Sequence, residues 1–136
     1  MRLAGPDDLP RLIELGKAFH QKSPWSSLDF NEYKMKKVFL EMMADSDAVV
    51  IMHDDGLIGG TIASPFFSSS TIAQELFWYA EKDGMELLKA FEAWAYVTGA
   101  DYVSVASTGL RTKALARVYG RMGYEPREAT FVKRFD

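Results

Sequence analysis

A chain of 136 residues, 48% hydrophobic and 26% charged, has the size and balance of one globular domain with its own core. It contains no cysteine, which excludes disulfides, thiolate nucleophiles and thiolate metal sites, and its net charge of −3 offers nucleic acid no overall attraction while modestly favouring cationic amines. The opening MRLAGPDDLP lacks the apolar core of a signal peptide, and the longest apolar run, AVVIM at 48–52, is far too short to cross a bilayer. A soluble, cytoplasmic protein without a membrane partner is expected.

Arg2 to Ala4 reads as a very short strand. Asp7 and Asp8 then precede Leu9, Leu12, Ile13 and Phe19 at helical spacing, with Pro10 tolerated in the first turn, so the pattern predicts a helix over 8–20. The stretch QKSPWSSL carries turn chemistry around Trp25. Asp29 and Glu32 stand at capping-box spacing before Tyr33, Met35, Phe39, Met42 and Met43, which predicts a second helix over 29–44. AVVIMHDDGLIGGTIA reads as two strands joined at Asp54-Asp55-Gly56, with the glycine expected to supply the positive φ of the turn.

The strand predicted over 71–80 is apolar on both faces except for Gln74 and Glu75, the pattern of a central strand covered on both sides. A third helix, Gly84 to Thr98, places Leu87, Leu88, Phe91, Trp94 and Ala95 on one face and stops at Gly99. DYVSVAS, 101–107, is the next strand, and Lys113 to Met122 a fourth helix ending at Gly123. EATFVKRF is expected to close the chain as a strand, with a short one over 124–127 before it.

This order is α/β, with a hairpin-built antiparallel half joined to a βαβ unit over 71–107 whose two strands are parallel. The order of elements, the start RLAGPDDLPRLIEL, the stretch QELFWYAEKDGMELLKAFEAWA and the ending ALARVYGRMGYEP together resemble the GCN5-related N-acetyltransferase (GNAT) family, particularly its small bacterial and phage-encoded members, over essentially the whole chain. The resemblance implies one domain spanning 1–136 and a mixed, mostly antiparallel central sheet with a splayed parallel strand pair, flanked by about four helices. It also implies acetyl-coenzyme A as co-substrate.

In that family a loop of Arg/Gln-x-x-Gly-x-Gly/Ala type precedes a helix whose free N–H groups bind the pyrophosphate of coenzyme A, the usual chemistry of a helix start. Gly84, followed by Met85, matches the last glycine; the earlier glycines and the arginine or glutamine are missing, and the loop is shortened. Lys82 is placed to pair with a phosphate. Asp83 and Glu86, however, are spaced as a capping box, in which the Asp83 carboxylate would occupy the same amides. The stretch therefore reads either as a donor site or as a plain capped helix start.

Acetyl transfer to an amine needs a base for the ammonium, donors for a developing oxyanion and an acid for the departing thiolate. Glu75, five residues before Ala80, holds the position of the strand-borne glutamate that is the base in the histone-acetylating branch of the family. Flanked by Phe77 and Tyr79 on its own face, it should be partly desolvated and its pKa raised; the alternative is a buried ion pair with a lysine or arginine. Tyr119, in ALARVYGRMGY, matches the helix-borne tyrosine that protonates the thiolate, or else it is an ordinary packing residue. Where the family often has asparagine seven residues earlier, beside the donor's pantetheine, Thr112 stands.

By the same resemblance the main chain of Phe77, Trp78, Tyr79 and Ala80 lines the splayed pair and holds the donor, while Trp25 either touches the acceptor or anchors its own loop. His20 and His53 are far apart, and Asp54 and Asp55 belong to a turn, so no metal site is expected. No Gly-x-Ser-x-Gly elbow is present. The sequence thus points to an N-acetyltransferase moving an acetyl group from coenzyme A to a primary amine, on a small molecule or a protein, by direct attack. The alternative is a non-catalytic binding module with a degenerate phosphate loop. The resemblance also carries the expectation of a homodimer, without an interface readable from one sequence.

Overall fold

The computed structural model describes residues 1–106 and 112–135, and of residues 112–115 the backbone alone. Its contacts group into two compact units, Met1–Ala106 and Ser107–Asp136. The first unit carries a five-stranded sheet in the order β1 (Arg2–Leu3), β2 (Ala48–His53), β3 (Gly56–Ala63), β4 (Ile72–Ala80) and β5 (Tyr102–Ser104). Neighbours are antiparallel except β4 and β5, which run parallel. The helices α1 (Leu9–Lys22) and α2 (Glu32–Ala44) lie between β1 and β2 in the chain, and α3 (Gly84–Thr98) is the crossover from β4 to β5. None of the described helices is long and apolar enough to cross a membrane.

Alternation along the strands divides the core in two. On one side Leu12, Ile13 and Leu15 of α1 and Phe39 and Met42 of α2 bury against Ala48, Val50, Met52 and Leu57, with Phe77 and Tyr79 packed onto the cluster. The remaining buried side chains include Val49, Ile51, Ile58 and Ala73 of the sheet and Leu87, Leu88, Phe91 and Ala95 of α3. Arg2 forks onto both carboxylate oxygens of Asp8, which also accepts the Gly5 N–H; these bonds hold the Asp8 carboxyl at about 2 and tie β1 to the 3₁₀ turn, Pro6–Asp8, that leads into α1.

Two local expectations are corrected. Helix α2 starts at Glu32, with the Asn31 side chain accepting the Lys34 N–H at 3.0 Å, so the cap is Asn31 and not Asp29. The hairpin turn forms where expected, but Gly56 does not take a positive φ. A Cβ at Gly56 would instead lie 2.7 Å from the Ala80 Cβ and the Tyr79 carbonyl, so the glycine is needed for the approach of β4.

The same close approach recurs in mid-sheet. Gly59 faces the Phe77 ring, Gly60 faces the Gln74 carbonyl, and between these pairs Leu76 is an extra residue on β4. Gly59 and Gly60 are adjacent and point to opposite faces, so their partners Phe77 and Glu75 do not share a face. The expectation that Glu75 stands beside Phe77 and Tyr79 is thereby corrected: a bulge changes the parity that the sequence alone implies.

In the second unit α4 (Thr112–Arg121) ends at Gly123, whose φ of +91° provides the left-handed residue that a helix stop uses. The strands expected over 124–127 and at EATFVKRF do not form: residues 124–135 have no regular secondary structure, and Phe131, Val132 and Phe135 are exposed. Alternation marks a segment as able to be a strand, but the hydrogen bonds that make one come from a neighbour.

A methyl group at Gly60 would run into the Gln74 carbonyl and the Phe91 ring. Gly60→Ala is therefore expected to destabilise the protein by about 2–3 kcal/mol, read as a lower urea midpoint at unchanged slope.

Candidate active site

Strand β4 is paired with β3 along its whole length, Ile72 to Ala80, but with β5 only at Ile72, Ala73 and Gln74, opposite Tyr102, Val103 and Ser104. The closed end of this parallel pair is fixed by Asp101: its carboxylate accepts the Thr71 N–H at 2.9 Å, while its own N–H and that of Tyr102 donate to the Thr71 carbonyl. Beyond Gln74 the chains part. From Glu75 to Ala80 the main-chain groups of β4 that point away from β3 are paired with no strand among the described residues. Of the segment expected to be a strand over 101–107, Tyr102–Ser104 takes that form and residues 105 and 106 do not, while Ser107 lies outside the described residues.

Glu75 stands at the fork. Its Oε1 accepts the Ala106 N–H at 3.1 Å, so the first residues past β5 are turned onto the carboxylate. Burial pushes the Glu75 carboxyl above its ordinary range, and the Ala106 hydrogen bond opposes that only in part; among the described residues no neighbouring charge contributes. The alternative of a buried ion pair is thus not the arrangement found among the described residues. The raised affinity for a proton, held in a half-buried notch between two parting strands, is what a general base for an amine requires.

The side chains of the neighbouring aromatic run are engaged in packing. Phe77 meets Phe39 edge-on at 5.5 Å between centroids, and Tyr79 lies on the α1–α2 side. Trp78 Nε1 donates to the Gly84 carbonyl at 3.1 Å, tying β4 to the first turn of α3. What Phe77, Trp78, Tyr79 and Ala80 present towards the fork is main chain. Lys22 at the end of α1 donates to the Tyr79 hydroxyl at 3.1 Å and lies over its ring; this contact raises the lysine pKa and brings a cation to the end of β4. The sequence reading missed Lys22, and no local pattern flags it, because the contact spans 57 residues.

At the β4–α3 loop a further expectation is overturned. Asp83 is in the left-handed region, φ 57° and ψ 36°, and its carboxylate caps nothing, so the capping box with Glu86 is not formed. An N-cap side chain reaches the N2 or N3 amide from an extended backbone, and the left-handed conformation denies Asp83 that reach. No side chain among the described residues caps the first amides of α3, those of Gly84 and Met85 included. Lys82 lies 3.7 Å from Asp55 of the β2–β3 turn. His53, weighed in the sequence only as a metal ligand, contacts Asp55 and Asp83.

Trp25 sits in the loop between α1 and α2, 40% exposed, with its N–H bonded to Ser23 Oγ and its carbonyl accepting the Leu28 N–H. In the second unit Tyr119 is buried on α4, its ring 5.6 Å from that of Tyr124, and its carbonyl accepts the Met122 and Tyr124 amides. Thr112 begins α4, and its side chain lies outside the described residues. Among the described residues no group of three metal-ligating side chains occurs.

No family model matches the sequence, and no curated protein is significantly similar to it. Solved structures do match. An aminoglycoside acetyltransferase from an uncultured soil metagenomic sample, in complex with sisomicin, superposes at a TM-score of 0.68 and 14% identity over 98% of this chain and 93% of its own. A GNAT family acetyltransferase of Staphylococcus aureus gives 0.67 and 18% over 98% of this chain and 96% of its own. AAC(6')-Iy, in complex with the bisubstrate analog CoA-S-monomethyl-acetylneamine, gives 0.67 and 15% over 99% and 96%. The fold is that of the GCN5-related N-acetyltransferases: a mixed five-stranded sheet with one parallel pair and four helices.

Because burial raises the Glu75 carboxyl, the folded protein holds that proton more tightly than the unfolded chain, and stability is lost as pH rises through the raised value. Glu75→Gln is neutral at every pH. Its melting temperature relative to the unsubstituted protein should be highest at pH above the raised value and fall to parity as pH drops through it to the ordinary glutamate range; a pH-independent difference refutes the shift.

Proposed function

We propose that the protein is an acetyl-coenzyme A-dependent N-acyltransferase acting on a primary amine, on a small molecule or a protein, by direct attack. The observation that carries this reading is the Glu75 carboxylate, raised in pKa by burial and seated where β4 and β5 part. The complex of AAC(6')-Iy with an analog containing coenzyme A supports the donor class for this fold.

The residues present fit such a donor. The amides of Gly84 and Met85 begin a 15-residue helix and no side chain among the described residues caps them, so they offer a phosphate hydrogen-bond donors and a partial positive charge. The main chain of Phe77 to Ala80, which pairs with β3 and lies beyond the last residue paired with β5, offers hydrogen bonds to an amide-bearing arm. Lys82 can leave Asp55 for a phosphate, since an exposed pair of this kind contributes little. Thr112 is kept as a contact to the same arm, and Trp25 as a contact to the acceptor, on the resemblance alone.

When bound, the donor supplies a thioester carbonyl for attack. Glu75 takes one proton of the incoming ammonium on a carboxylate oxygen, freeing the nitrogen lone pair to form the C–N bond; the second proton leaves the nitrogen to solvent as the C–S bond breaks. Tyr119 returns a proton from its hydroxyl to the thiolate; this role rests on the resemblance of the helix it occupies. The absence of cysteine fits transfer without a cysteinyl intermediate.

A second reading, a non-catalytic binding module of the same fold, is favoured by the acidic groups around the donor loop: Glu81 and Asp83 flank Lys82, whose ammonium pairs with Asp55. Calorimetric titration with acetyl-coenzyme A separates the two, and no binding at millimolar donor selects the module. With a turned-over amine in hand, Glu75→Gln and Tyr119→Phe are each expected to lower kcat about a hundredfold or more without loss of donor affinity. Wild-type rates in both variants reject the assigned roles. Asp83→Gly removes a carboxylate beside the amides and a side chain from a left-handed position; coenzyme A affinity should rise about two- to fivefold, measured by the same titration.

A further inference from the structure

The β2–β3 turn and the β4–α3 loop lie about 30 residues apart in the chain and are joined at three points. The Glu81 N–H donates to the Asp55 carbonyl at 2.8 Å, Lys82 Nζ lies 3.7 Å from the Asp55 carboxylate, and His53 Nε2 lies 3.3 Å from the Asp83 carbonyl. The other ring nitrogen of His53, Nδ1, faces the Asp55 N–H at 3.0 Å. A nitrogen that accepts an N–H carries the lone pair, so the proton is on Nε2 and is donated to Asp83. One imidazole reads the turn with one edge and the loop with the other.

The Asp83 carbonyl is in the same planar peptide unit as the Gly84 N–H, and in a trans unit the two point in opposite directions. Holding the carbonyl therefore aims the first amide of α3. The aim would otherwise be loose, because Asp83 is the sole non-glycine residue with a positive φ among the described residues, a conformation that an L side chain adopts only at a cost.

We infer that His53 is a positioning residue of the donor loop: by donating to the Asp83 carbonyl it turns the Gly84 N–H outward as a ready donor for the coenzyme A pyrophosphate. The inference rests on the coenzyme A reading above, and the experiment distinguishes the two. Asparagine at position 53 puts an amide oxygen where Nδ1 lies and keeps the bond to the Asp55 N–H, but does not reach Asp83. Glutamine puts an amide N–H where Nε2 lies.

Coenzyme A is titrated calorimetrically into the unsubstituted protein, His53→Asn and His53→Gln, with melting temperature and amide exchange of residues 81–86 in the free proteins as further readouts. His53→Asn is expected to weaken binding about three- to tenfold, the effect of one hydrogen bond, at an unchanged melting temperature and with faster exchange over 81–86. His53→Gln should recover most of the affinity and the slow exchange. Equal affinity and equal exchange in all three overturn the positioning role and leave the coenzyme A reading standing. No binding by the unsubstituted protein overturns both.

Discussion

The site depends on how strand β4 is shared between its neighbours. Eight of its nine residues pair with β3, all but the bulged Leu76, and three pair with β5, so one side of the strand is closed and the other, among the described residues, opens from Glu75 onward. A parallel pair that ran on would spend those main-chain groups on each other and leave no room for a ligand. The opening coincides with the bulge at Leu76, where the two glycines of β3 let the strands come close. Bulges bend a strand and raise its local twist, which gives the divergence of β4 from β5 a physical origin in that one extra residue.

A second consequence of the register is that the end of β4 returns to the β2–β3 turn. Gly56 opposes Ala80, so the loop leading into α3 is laid against His53 and Asp55. The turn is acidic and the loop carries Glu81 and Asp83, yet the contacts between them go through main-chain groups, Lys82 and the His53 ring. The arrangement holds the loop without a carboxylate on the helix amides. In the sequence the Asp83–Glu86 spacing argues against an anion site; in the structure the backbone of Asp83 turns that carboxylate away.

Much of the fold was legible from local pattern. The hairpin, the three main helices of the first unit and the parallel crossover follow from periodicity, turn residues and glycine stops, and the bounds of α3 agree at both ends. Errors arose where a decision belongs to a partner segment. EATFVKRF alternates as a strand does, yet it takes no regular structure, because the hydrogen bonds that make a strand come from a neighbouring segment and not from its own pattern. Asp29 lost the α2 cap to Asn31 because both satisfy the composition rule and only the backbone at the helix start selects one.

For the candidate site, the sequence by itself determined that an acidic side chain sits on a central apolar strand and that a glycine opens the helix after it. Those facts follow from spacing along one chain. Tertiary structure alone decided which face Glu75 takes, that among the described residues Ala106 rather than a cation meets it, that Asp83 leaves the α3 amides uncapped, that Lys22 reaches the end of β4 and that His53 reaches the loop after it. Each of these depends on register and on one left-handed residue, and a two-residue or 3.6-residue period carries no information about either.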